Sequence, residues 1–409
     1  MAKRLQVSRL QVIFKTVERC NLACPYCYYF EGGDQSFRER PARTSLKVAE
    51  RLVNFIDQAI EDVGLQHVQI VFHGGEPTLQ KIEDFEASCA MFVSGLAHKC
   101  LLDLSIQTNG VRLNEDWIAA LKRNGVQLGV SIDGPAHVHD PARPHHNGKG
   151  SLAGIARNLH RIRHEDPEYY RNSVASLTVL NAKHDYGAIT DFFSHDLGFR
   201  KQNFLLPDCT HDDGIPDGAT ASDYGRALCT IFDRWVKDRT WSVREIDEVL
   251  RRFQRAKLKD GVTLPDRNGD EIRWVYNHIV VIQSDGSLKI DDSYIPASDW
   301  RDKAPVSSIF HCEMKDYLKH EIFDEMFSLI ENSPSQCASC KWENICHGGD
   351  LENRWSTKRG FDNPSVFCDG LQMFYEHVTA YLVNHGYPQE YIDQRLKGDY
   401  DFVTAGYAA

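Results

Sequence analysis

The sequence contains no long apolar run and no excess of basic residues. No segment of its 409 residues approaches the ~20 successive apolar residues of a membrane-spanning helix, so no membrane partner is expected. Lys and Arg number 47 against 58 Asp and Glu, which gives a net charge of −11. Because nucleic acid is held largely through Lys and Arg, a nucleic-acid substrate is not expected either. The start of the chain lacks the features of a signal peptide, so a cytoplasmic location is expected.

Low-complexity tracts and internal repeats are also missing, and the composition is not that of a disordered or fibrous protein. Apolar residues make up 42% of the chain, enough for a substantial core. The length is large for one domain and fits a barrel with an appended module.

Cysteine is abundant, with 12 residues. Disulfides rarely persist in the cytoplasm, so clustered cysteines there more often bind metal or carry out redox chemistry. Seven of the cysteines form two clusters, one toward each end of the chain. Four of the isolated cysteines are interpreted as small buried apolar residues, namely Cys89, Cys100, Cys209 and Cys229.

The first half of the chain alternates β-type runs with helical patterns. Six such units predict an α/β fold in which a parallel sheet with helical crossovers curls into a partial (β/α)6 TIM-like barrel. An ordinary doubly wound sheet is the alternative. The candidate strands are residues 11–16, 68–72, 102–107, 127–132, 173–180 and 203–206.

The pattern changes after Pro207. Residues 223–259 are predicted to form a helix, and residues 274–290 a hairpin with Ser284, Asp285 and Gly286 in its turn. Residues 312–368 have weak periodicity and are expected to fold around metal. The expected domains are a barrel at 1–215, bridging helices and a hairpin at 216–300, a small iron–sulfur module at 301–384, and a C-terminal tail or helix at 385–409.

The first cysteine cluster directly follows the first predicted strand. Cys20, Cys24 and Cys27 supply three thiolates within eight residues, enough to hold one iron–sulfur cluster. No fourth cysteine lies nearby, so one iron would keep an open position for a substrate or cofactor. A zinc site is the alternative, but it would lack a nearby fourth ligand.

Three residues separate the first two of these cysteines, two separate the next pair, and Tyr26 precedes the third. This spacing resembles the signature of the radical S-adenosylmethionine (SAM) superfamily. The resemblance implies that a [4Fe–4S] cluster binds the amino and carboxylate groups of SAM at its open iron. One electron then splits SAM into methionine and a 5′-deoxyadenosyl radical, which abstracts hydrogen from the substrate.

Polar motifs at the ends of the predicted strands are candidates for holding SAM, because ligands of parallel sheets bind at that edge. The resemblance implies that the tetrapeptide after the second strand holds the amino group of SAM, its glycines allowing close approach and its Glu accepting hydrogen bonds. Plain turn residues and a surface ion pair are the alternatives. The cofactor-binding candidates are Tyr26 of the cysteine loop together with these residues: Gly74, Gly75, Glu76, Pro77, Asn109, Ser131, Asp133, Arg143 and Asn181.

The second cluster, Cys337, Cys340, Cys346 and Cys368, supplies four thiolates for zinc or a closed iron–sulfur cluster. It resembles a SPASM domain, which in full has seven cysteines and two auxiliary clusters. Here Asp291 and Asp350 stand at two of the expected cysteine positions, and a third cysteine is missing from residues 269–276. The resemblance therefore implies one auxiliary [4Fe–4S] cluster, with Cys312 a leftover thiol or part of a degenerate site with Asp ligands.

This auxiliary cluster could accept or pass one electron, or could only staple a loop-rich module. Residues 204–208, 210–212 and 346–349 further resemble maturases that build cyclophane crosslinks in ribosomally made peptides. In that reaction an aromatic ring carbon is bonded to the β-carbon of a nearby residue. The implied partners are a precursor peptide with leader and core, and an electron donor such as flavodoxin or ferredoxin.

Ring rearomatisation would release one proton, and four side chains are candidates for accepting it: Asp292, Asp208, His211 and Asp212. Each could instead be a solvated loop residue. Three other functions stay open. They are an anaerobic sulfatase-maturing activity that oxidises Cys or Ser to formylglycine, a thioether-forming activity, and a non-catalytic iron–sulfur or zinc scaffold.

Overall fold

The computed structural model describes residues 4–31, 35–254, 263–265 and 271–398. The chain divides into two compact units, which are described separately. The first comprises Met1–Ile132, His139–Val174 and Lys259–Phe327, and the second comprises Asp133–Val138, Ala175–Leu258 and Ser328–Ala409. Within the described residues, no helix combines the length and the apolar character needed to cross a membrane.

The strands are, in chain order, β1 (Arg4–Val17), β2 (His67–Gly74), β3 (Leu101–Thr108), β4 (Gln127–Ser131), β5 (Val174–Val179), β6 (Lys201–Leu205), β7 (Ser242–Val243), β8 (Thr263–Pro265), β9 (Glu271–Ile282), β10 (Ser287–Lys289) and β11 (Ser307–Ser308). The helices are α1 (Leu46–Val63), α2 (Ile82–Leu96), α3 (Glu115–Arg123), α4 (Ala136–Ala142), α5 (Leu152–Glu165), α6 (Pro167–Ser173), α7 (Tyr186–Asp191), α8 (Ala221–Lys237), α9 (Arg244–Gln254), α10 (Ser298–Arg301), α11 (Met314–Tyr317), α12 (Glu321–Glu331), α13 (Glu343–Cys346), α14 (Cys368–Asn384) and α15 (Gln389–Leu396).

The first unit is built on a parallel sheet in which β1 pairs with β2, β2 with β3 and β3 with β4. On the other side of β1 lies β9, also parallel to it. Strand β10 turns back antiparallel on β9, and Gly286 takes a left-handed φ of 86° in the turn between them. The predicted hairpin is therefore confirmed, while its parallel pairing with β1 adds strands to the sheet that the sequence pattern did not predict.

Alternation along β1 and β2 separates an apolar face of the sheet from a polar one. Phe14 and Phe72 are opposite each other in the register and pack with Phe92 of α2, the rings being tilted or T-shaped to one another. The next residue of each strand, Lys15 on β1 and His73 on β2, points to the other face because side chains alternate along a strand. The polar face is therefore the one that carries chemistry.

The second unit contains the parallel strands β5, β6 and β7 and the packed helices α8 and α14, which run in the same direction. The two helices approach closely at Gly225 and Gly370, where a Cβ on Gly225 would lie 2.7 Å from the Cα of Gly370. Helix α8 begins with a capping box in which Thr220 and Asp223 exchange hydrogen bonds.

The single helix predicted at residues 223–259 is wrong. It is two helices, α8 and α9, separated by the short strand β7. After α8 the side chain of Asp238 accepts a hydrogen bond of 3.0 Å from the backbone N–H of Thr240, a turn that competes with helix continuation. Trp241 then buries its ring. Residues 255–259 of the predicted helix lie outside the described residues.

The predicted α/β class with parallel strands and helical crossovers is confirmed, and each of the six predicted strands overlaps one of β1–β6. Helix α15 lies in the predicted C-terminal segment, of which residues 399–409 lie outside the described residues. The boundaries of the four predicted domains, and the SPASM-type module among them, stay predictions.

Candidate cofactor and active site

The first cysteine cluster lies in the loop that follows β1. The Cys20 Sγ accepts a hydrogen bond of 3.4 Å from the backbone N–H of Leu22, and the loop is held from outside by a hydrogen bond from Ala23 N to Pro144 O. Burial, with the nearby Glu76, Cys24 and Cys27, raises the pKa of Cys20 to about 12 against the lowering effect of the Leu22 hydrogen bond. The three thiols are thus close enough to influence one another, as a shared cluster requires.

Glu76 is a fully buried carboxylate saturated with hydrogen bonds. Its Oε1 accepts from Thr78 N at 2.9 Å, Thr78 Oγ1 at 2.5 Å and Thr108 Oγ1 at 2.6 Å. Its Oε2 accepts from the backbone N–H of Asn109 at 2.8 Å. Burial raises the pKa of this carboxyl, against the effect of these hydrogen bonds. Glu76 therefore ties the end of β2 to the end of β3, and a contact between it and SAM stays a prediction.

The side chain of Asn109 reaches the cysteine loop. Its Nδ2 lies 2.8 Å from the Oδ1 of Asn21 and 3.7 Å from the Sγ of Cys20. Its own Oδ1 accepts from the backbone N–H of Val111, which fixes which end of the amide faces the sulfur. Glu76 and Asn109 thus form one chain of hydrogen bonds from the sheet to a candidate iron ligand.

Gly74 and Gly75 make close contacts with the chain itself, a need for glycine that the sequence did not predict. A Cβ on Gly74 would lie 2.2 Å from the carbonyl oxygen of Val17, and one on Gly75 would lie 2.3 Å from that of Arg19. Gly74 also has a φ of 127°. Pro77 begins a buried helical turn after them. Binding of SAM by this tetrapeptide stays a prediction.

Arg143 and its neighbours lie against the cysteine loop. The guanidinium of Arg143 is 5.4 Å from the ring centre of Tyr26, and the Nε2 of His146 is 3.1 Å from the carbonyl oxygen of Cys20. His146 was not among the sequence candidates because nothing in its local pattern marks it. At the end of β4, Ser131 accepts a hydrogen bond of 2.8 Å from the side chain of Gln107.

Asp133 and Asn181 belong to the second unit. Asp133 is buried, and its charge acts on His184 and Tyr186 of the same unit. The Nδ2 of Asn181 donates a hydrogen bond of 2.9 Å to Asp217. Their contact with SAM stays a prediction.

Asp292 lies in a buried ion pair that sequence reasoning missed. Its Oδ2 is 2.6 Å from the Nζ of Lys15, whose side chain is fully buried, and its Oδ1 is 3.6 Å from Arg301. The same ammonium lies 3.2 Å from the hydroxyl of Tyr28 and 3.3 Å from the Nδ1 of His73. Burial lowers the pKa of Lys15, but the charges and hydrogen bonds of Asp292 and Tyr28 together raise it by more, so the net shift is upward.

The three other proton-acceptor candidates are exposed residues of one loop of the second unit. The side chain of Asp212 accepts two hydrogen bonds, of 2.6 and 2.5 Å, from the backbone and hydroxyl of Thr357, and these lower its pKa. His211 contacts the carbonyl oxygen of Pro364 at 2.8 Å. A lowered pKa makes Asp212 a weaker base, so its contacts favour a positioning role. Asp208 is exposed as well.

The second cysteine cluster is a group of four mutually close thiols within the second unit. Burial raises the pKa of Cys337 to about 11, with further contributions from Cys346, Cys368 and Cys340. The chain turns sharply after Cys346, because His347, Gly348 and Gly349 all have left-handed φ angles.

N–H groups from two other residues point at these sulfurs. The backbone N–H of Trp342 lies 3.4 Å from the Sγ of Cys340, and the Nε2 of Gln372 lies 3.3 Å from the Sγ of Cys368. Four thiols with N–H donors on the sulfurs fit a closed iron–sulfur cluster.

Across the described ranges, no three His, Cys, Asp or Glu side chains converge closely enough for one metal ion. The Sγ of Cys312 donates to the carbonyl oxygen of Glu313 at 3.3 Å, and Asp291 accepts from the backbone N–H of Ser293 at 3.2 Å. These contacts are consistent with Cys312 being a leftover thiol.

Residues 14–168 match the family model described as the Radical SAM superfamily. This part of the chain is therefore a radical SAM domain, a class whose cofactors are a [4Fe–4S] cluster and SAM. It contains all three cysteines of the first cluster.

The chain is also similar over most of its length to two curated enzymes. The serine-type anaerobic sulfatase-maturating enzyme of Bacteroides thetaiotaomicron is 26% identical over 384 residues, which cover 89% of this chain and 87% of the relative. The cysteine-type anaerobic sulfatase-maturating enzyme of Clostridium novyi is 27% identical over 371 residues, covering 89% and 93%.

A solved structure described as native anSMEcpe with bound AdoMet has a TM-score of 0.75 and 22% identity, covering 92% of this chain and 99% of that one. The same protein with bound AdoMet and Cp18Cys peptide gives a TM-score of 0.74 at 23% identity. These likenesses establish the fold, an α/β fold with a parallel sheet and helices.

Proposed function

We propose that this chain is a radical SAM enzyme that oxidises a side chain of a peptide or protein. The observation that carries the proposal is the loop of Cys20, Cys24 and Cys27, which lies in the radical SAM domain and receives the Asn109 amide on one sulfur. Such a cluster supplies, when bound, the electron that splits SAM and so starts hydrogen abstraction. The peptide substrate is supported by the similarity to sulfatase-maturating enzymes along 89% of the chain.

Formylglycine formation is the finer activity that the comparisons favour. In that reaction a Cys or Ser side chain of the substrate loses hydrogen and ends as an aldehyde. Both curated relatives described above are named for sulfatase maturation, one of the serine type and one of the cysteine type. The sequence-based preference for a cyclophane crosslink has no such support.

A cyclophane crosslink is the second candidate, and the environment of Asp291 and Asp292 is the observation that favours it. The implied SPASM resemblance expects a cysteine at position 291, yet the two carboxylates there are engaged with Ser293 and Lys15. Sulfatase-maturing relatives are expected to carry two auxiliary clusters, whereas this chain offers four thiols for one. A distinct use of the radical would explain that difference.

Asp292 is the best placed of the four proton-acceptor candidates. It is 5% exposed, whereas Asp208, His211 and Asp212 are exposed. Its Oδ2 lies 2.6 Å from the Nζ of Lys15, which holds the carboxylate in place. It follows the β9–β10 hairpin, and β9 pairs with β1, the strand that leads into the cysteine loop.

The test is anaerobic reconstitution with iron and sulfide, followed by reduction in the presence of SAM and a peptide. We expect 5′-deoxyadenosine from the reconstituted protein and none from a Cys24→Ala variant treated identically. Absence of 5′-deoxyadenosine from cluster-loaded protein would favour a non-catalytic scaffold.

Mass spectrometry of the peptide separates the finer activities. An aldehyde at Cys or Ser in a sulfatase-type peptide identifies formylglycine formation. A loss of two hydrogens with an aromatic side chain bonded to carbon identifies the cyclophane. A bond from a cysteine sulfur to carbon identifies thioether formation.

A further inference from the structure

The second cysteine cluster is joined to a buried chain of polar groups that the proposed reaction has not used. The NH1 group of Arg252 donates hydrogen bonds to the hydroxyl of Tyr375 at 3.2 Å and to the carbonyl oxygen of Ile345 at 3.1 Å. The hydroxyl of Tyr375 in turn hydrogen-bonds to Cys346. All of these groups belong to the second unit, and Tyr375 is 2% exposed.

The direction of this chain follows from the chemistry of its members. A guanidinium has only donors, so the oxygen of Tyr375 must accept from Arg252. The single hydrogen of the hydroxyl is then left for the sulfur of Cys346. Because a hydroxyl that accepts from a cation becomes a better donor, Arg252 strengthens the O–H···S contact as well as orienting it.

Two arginines lie near the four thiols, alongside the carboxylates of Asp350 and Asp369. Within the described ranges, Arg252 has no carboxylate oxygen at ion-pair distance, and its charge acts directly on Cys346. Arg354, which is 3% exposed, donates to the carbonyl oxygens of Phe361 and Leu329, and its charge acts on Cys337. Four thiolates outweigh the positive charge of an iron–sulfur core, so these arginines face an anionic group. A buried cation is costly unless such a group compensates it.

We propose that Arg252 and Tyr375 are positioning residues that raise the reduction potential of the auxiliary cluster held by Cys337, Cys340, Cys346 and Cys368, so that this cluster accepts the electron released by the substrate. Hydrogen bonds to the sulfurs and nearby charge are established determinants of cluster potential. The inference rests on the proposed function for the origin of the electron.

Electrons and protons balance in the proposed reaction. The substrate loses one hydrogen atom to the deoxyadenosyl radical, and its radical then loses one proton and one electron. The proton goes to a carboxylate, for which Asp292 is the candidate. The auxiliary cluster that the four thiols would hold would take up the electron, and a one-electron carrier of the flavodoxin or ferredoxin class would remove it.

A purely structural role for Arg252 predicts something different. Its hydrogen bond to Ile345 O satisfies a carbonyl of the short helix α13. If that were its whole role, its loss would weaken the fold and leave the potential of any cluster that still forms unchanged. The potential is therefore the quantity to measure.

The experiment uses the full chain with Cys20, Cys24 and Cys27 changed to Ala, so that only the second cluster is loaded. Its midpoint potential is measured by redox titration with electron paramagnetic resonance, with and without Arg252→Gln or Tyr375→Phe. We expect Arg252→Gln to lower the equilibrium constant for reduction at least tenfold, a shift of about 59 mV to more negative potential for one electron. Tyr375→Phe should give a smaller shift in the same direction.

Matched controls lie in the same unit. Tyr387→Phe removes a hydroxyl that donates to the carbonyl oxygen of Phe253, and Arg226→Gln removes an exposed cation paired with Asp223. Both should leave the potential unchanged. Equal potentials in the parent, Arg252→Gln and Tyr375→Phe proteins would overturn the proposal.

A second measurement needs no change at residues 252 or 375. Electron–nuclear double resonance on the reduced cluster should detect a strongly coupled proton that exchanges with deuterium in heavy water. Absence of that proton would overturn the O–H···S contact even if the variants failed to load iron. Because the parent lacks the first cysteine set, the outcome is independent of the SAM cleavage assay, and either proposal can fail alone.

Discussion

The two cysteine sets differ in number, in their hydrogen-bond donors and in the charge around them. The first has three thiols, and the donors to Cys20 are the neutral amides of Leu22 and Asn109. The second has four thiols, and its neighbours include the charged guanidinium of Arg252 acting through Tyr375. Three thiols leave one iron free to bind a cofactor, whereas four thiols close the cluster. The first site is therefore suited to binding a cofactor, and the second to exchanging an electron.

The largest expected effect separates the two sets directly. Cys24→Ala should reduce 5′-deoxyadenosine formation to background, because the first cluster cannot form with two thiolates. Cys340→Ala should lower the iron content but leave SAM cleavage measurable. The measurements are iron per chain and deoxyadenosine by chromatography. If Cys340→Ala also abolishes SAM cleavage, the two sets do not have separate roles.

The next prediction concerns the buried ion pair of the first unit, in which Asp292 neutralises the ammonium of Lys15. Lys15→Met should destabilise metal-free protein by about 3 kcal/mol, because it removes the closer of the two cations that pair with a buried carboxylate. Urea unfolding near neutral pH checks this value. The double variant Lys15→Met, Asp292→Leu should recover much of the loss. Equal stability of the single variant and the parent would show that the ion pair contributes nothing to folding.

The Lys15 pair also predicts a dependence on alkaline pH. The pKa of Lys15 is raised in the folded protein, so its contribution to stability is complete below the pKa of the unfolded chain. The contribution is lost as pH rises toward the folded pKa. The stability difference between the parent and Lys15→Met should therefore be constant around neutral pH and shrink in strong alkali.

A smaller effect concerns His278 on β9 of the first unit. Its ring is buried between Phe323 and Phe327, and burial lowers its pKa from 6.5 to about 4. Because the unfolded chain takes up this proton more readily, stability should fall by about 3 kcal/mol as pH drops from 6.5 to 4. His278→Leu should remove that part of the pH dependence in urea unfolding of metal-free protein. An unchanged slope would contradict a neutral buried His278.

The smallest effect probes the neutral donor of the first set. Asn109→Ala removes the amide that contacts the Cys20 sulfur but leaves the backbone N–H that Glu76 binds. We expect roughly a 10–100-fold loss in iron affinity or deoxyadenosine formation, the range found for supporting groups of metal ligands. Asn124→Ala, at the end of α3, is the control. No change in Asn109→Ala would show that the amide contact is incidental.

Much of the fold could be predicted because its signals are local. Apolar alternation located β1–β6, and cysteine spacing identified both sets of thiols without knowledge of the fold. The turn at Gly286 followed from the residues around it. The break between α8 and α9 was missed because Thr240 and Trp241 do not interrupt the apolar pattern strongly, and their effect depends on tertiary burial.

The contacts that give the site its chemistry could not be predicted because they join distant segments. In the sequence Lys15 is a single charged residue within an apolar strand. Only the pairing of β1 with β9 brings Asp292 to it. Glu76 was predicted from the sequence to follow a strand, but its burial and its four hydrogen-bond donors depend on the ends of two strands meeting. Arg252 and Tyr375 lie on different helices, so nothing in either local sequence predicts their pairing.

Gly74 packs tightly against Val17, and Gly75 against Arg19. The position of the first cysteine loop is therefore sensitive to the size of the side chains at residues 74 and 75. A methyl group at either glycine would push the strand end away from the chain segment that leads into Cys20. Substitutions at these two positions should therefore change the metal content of the purified protein more than its substrate preference. Both glycines act as spacers whose small size sets where three sulfur atoms stand.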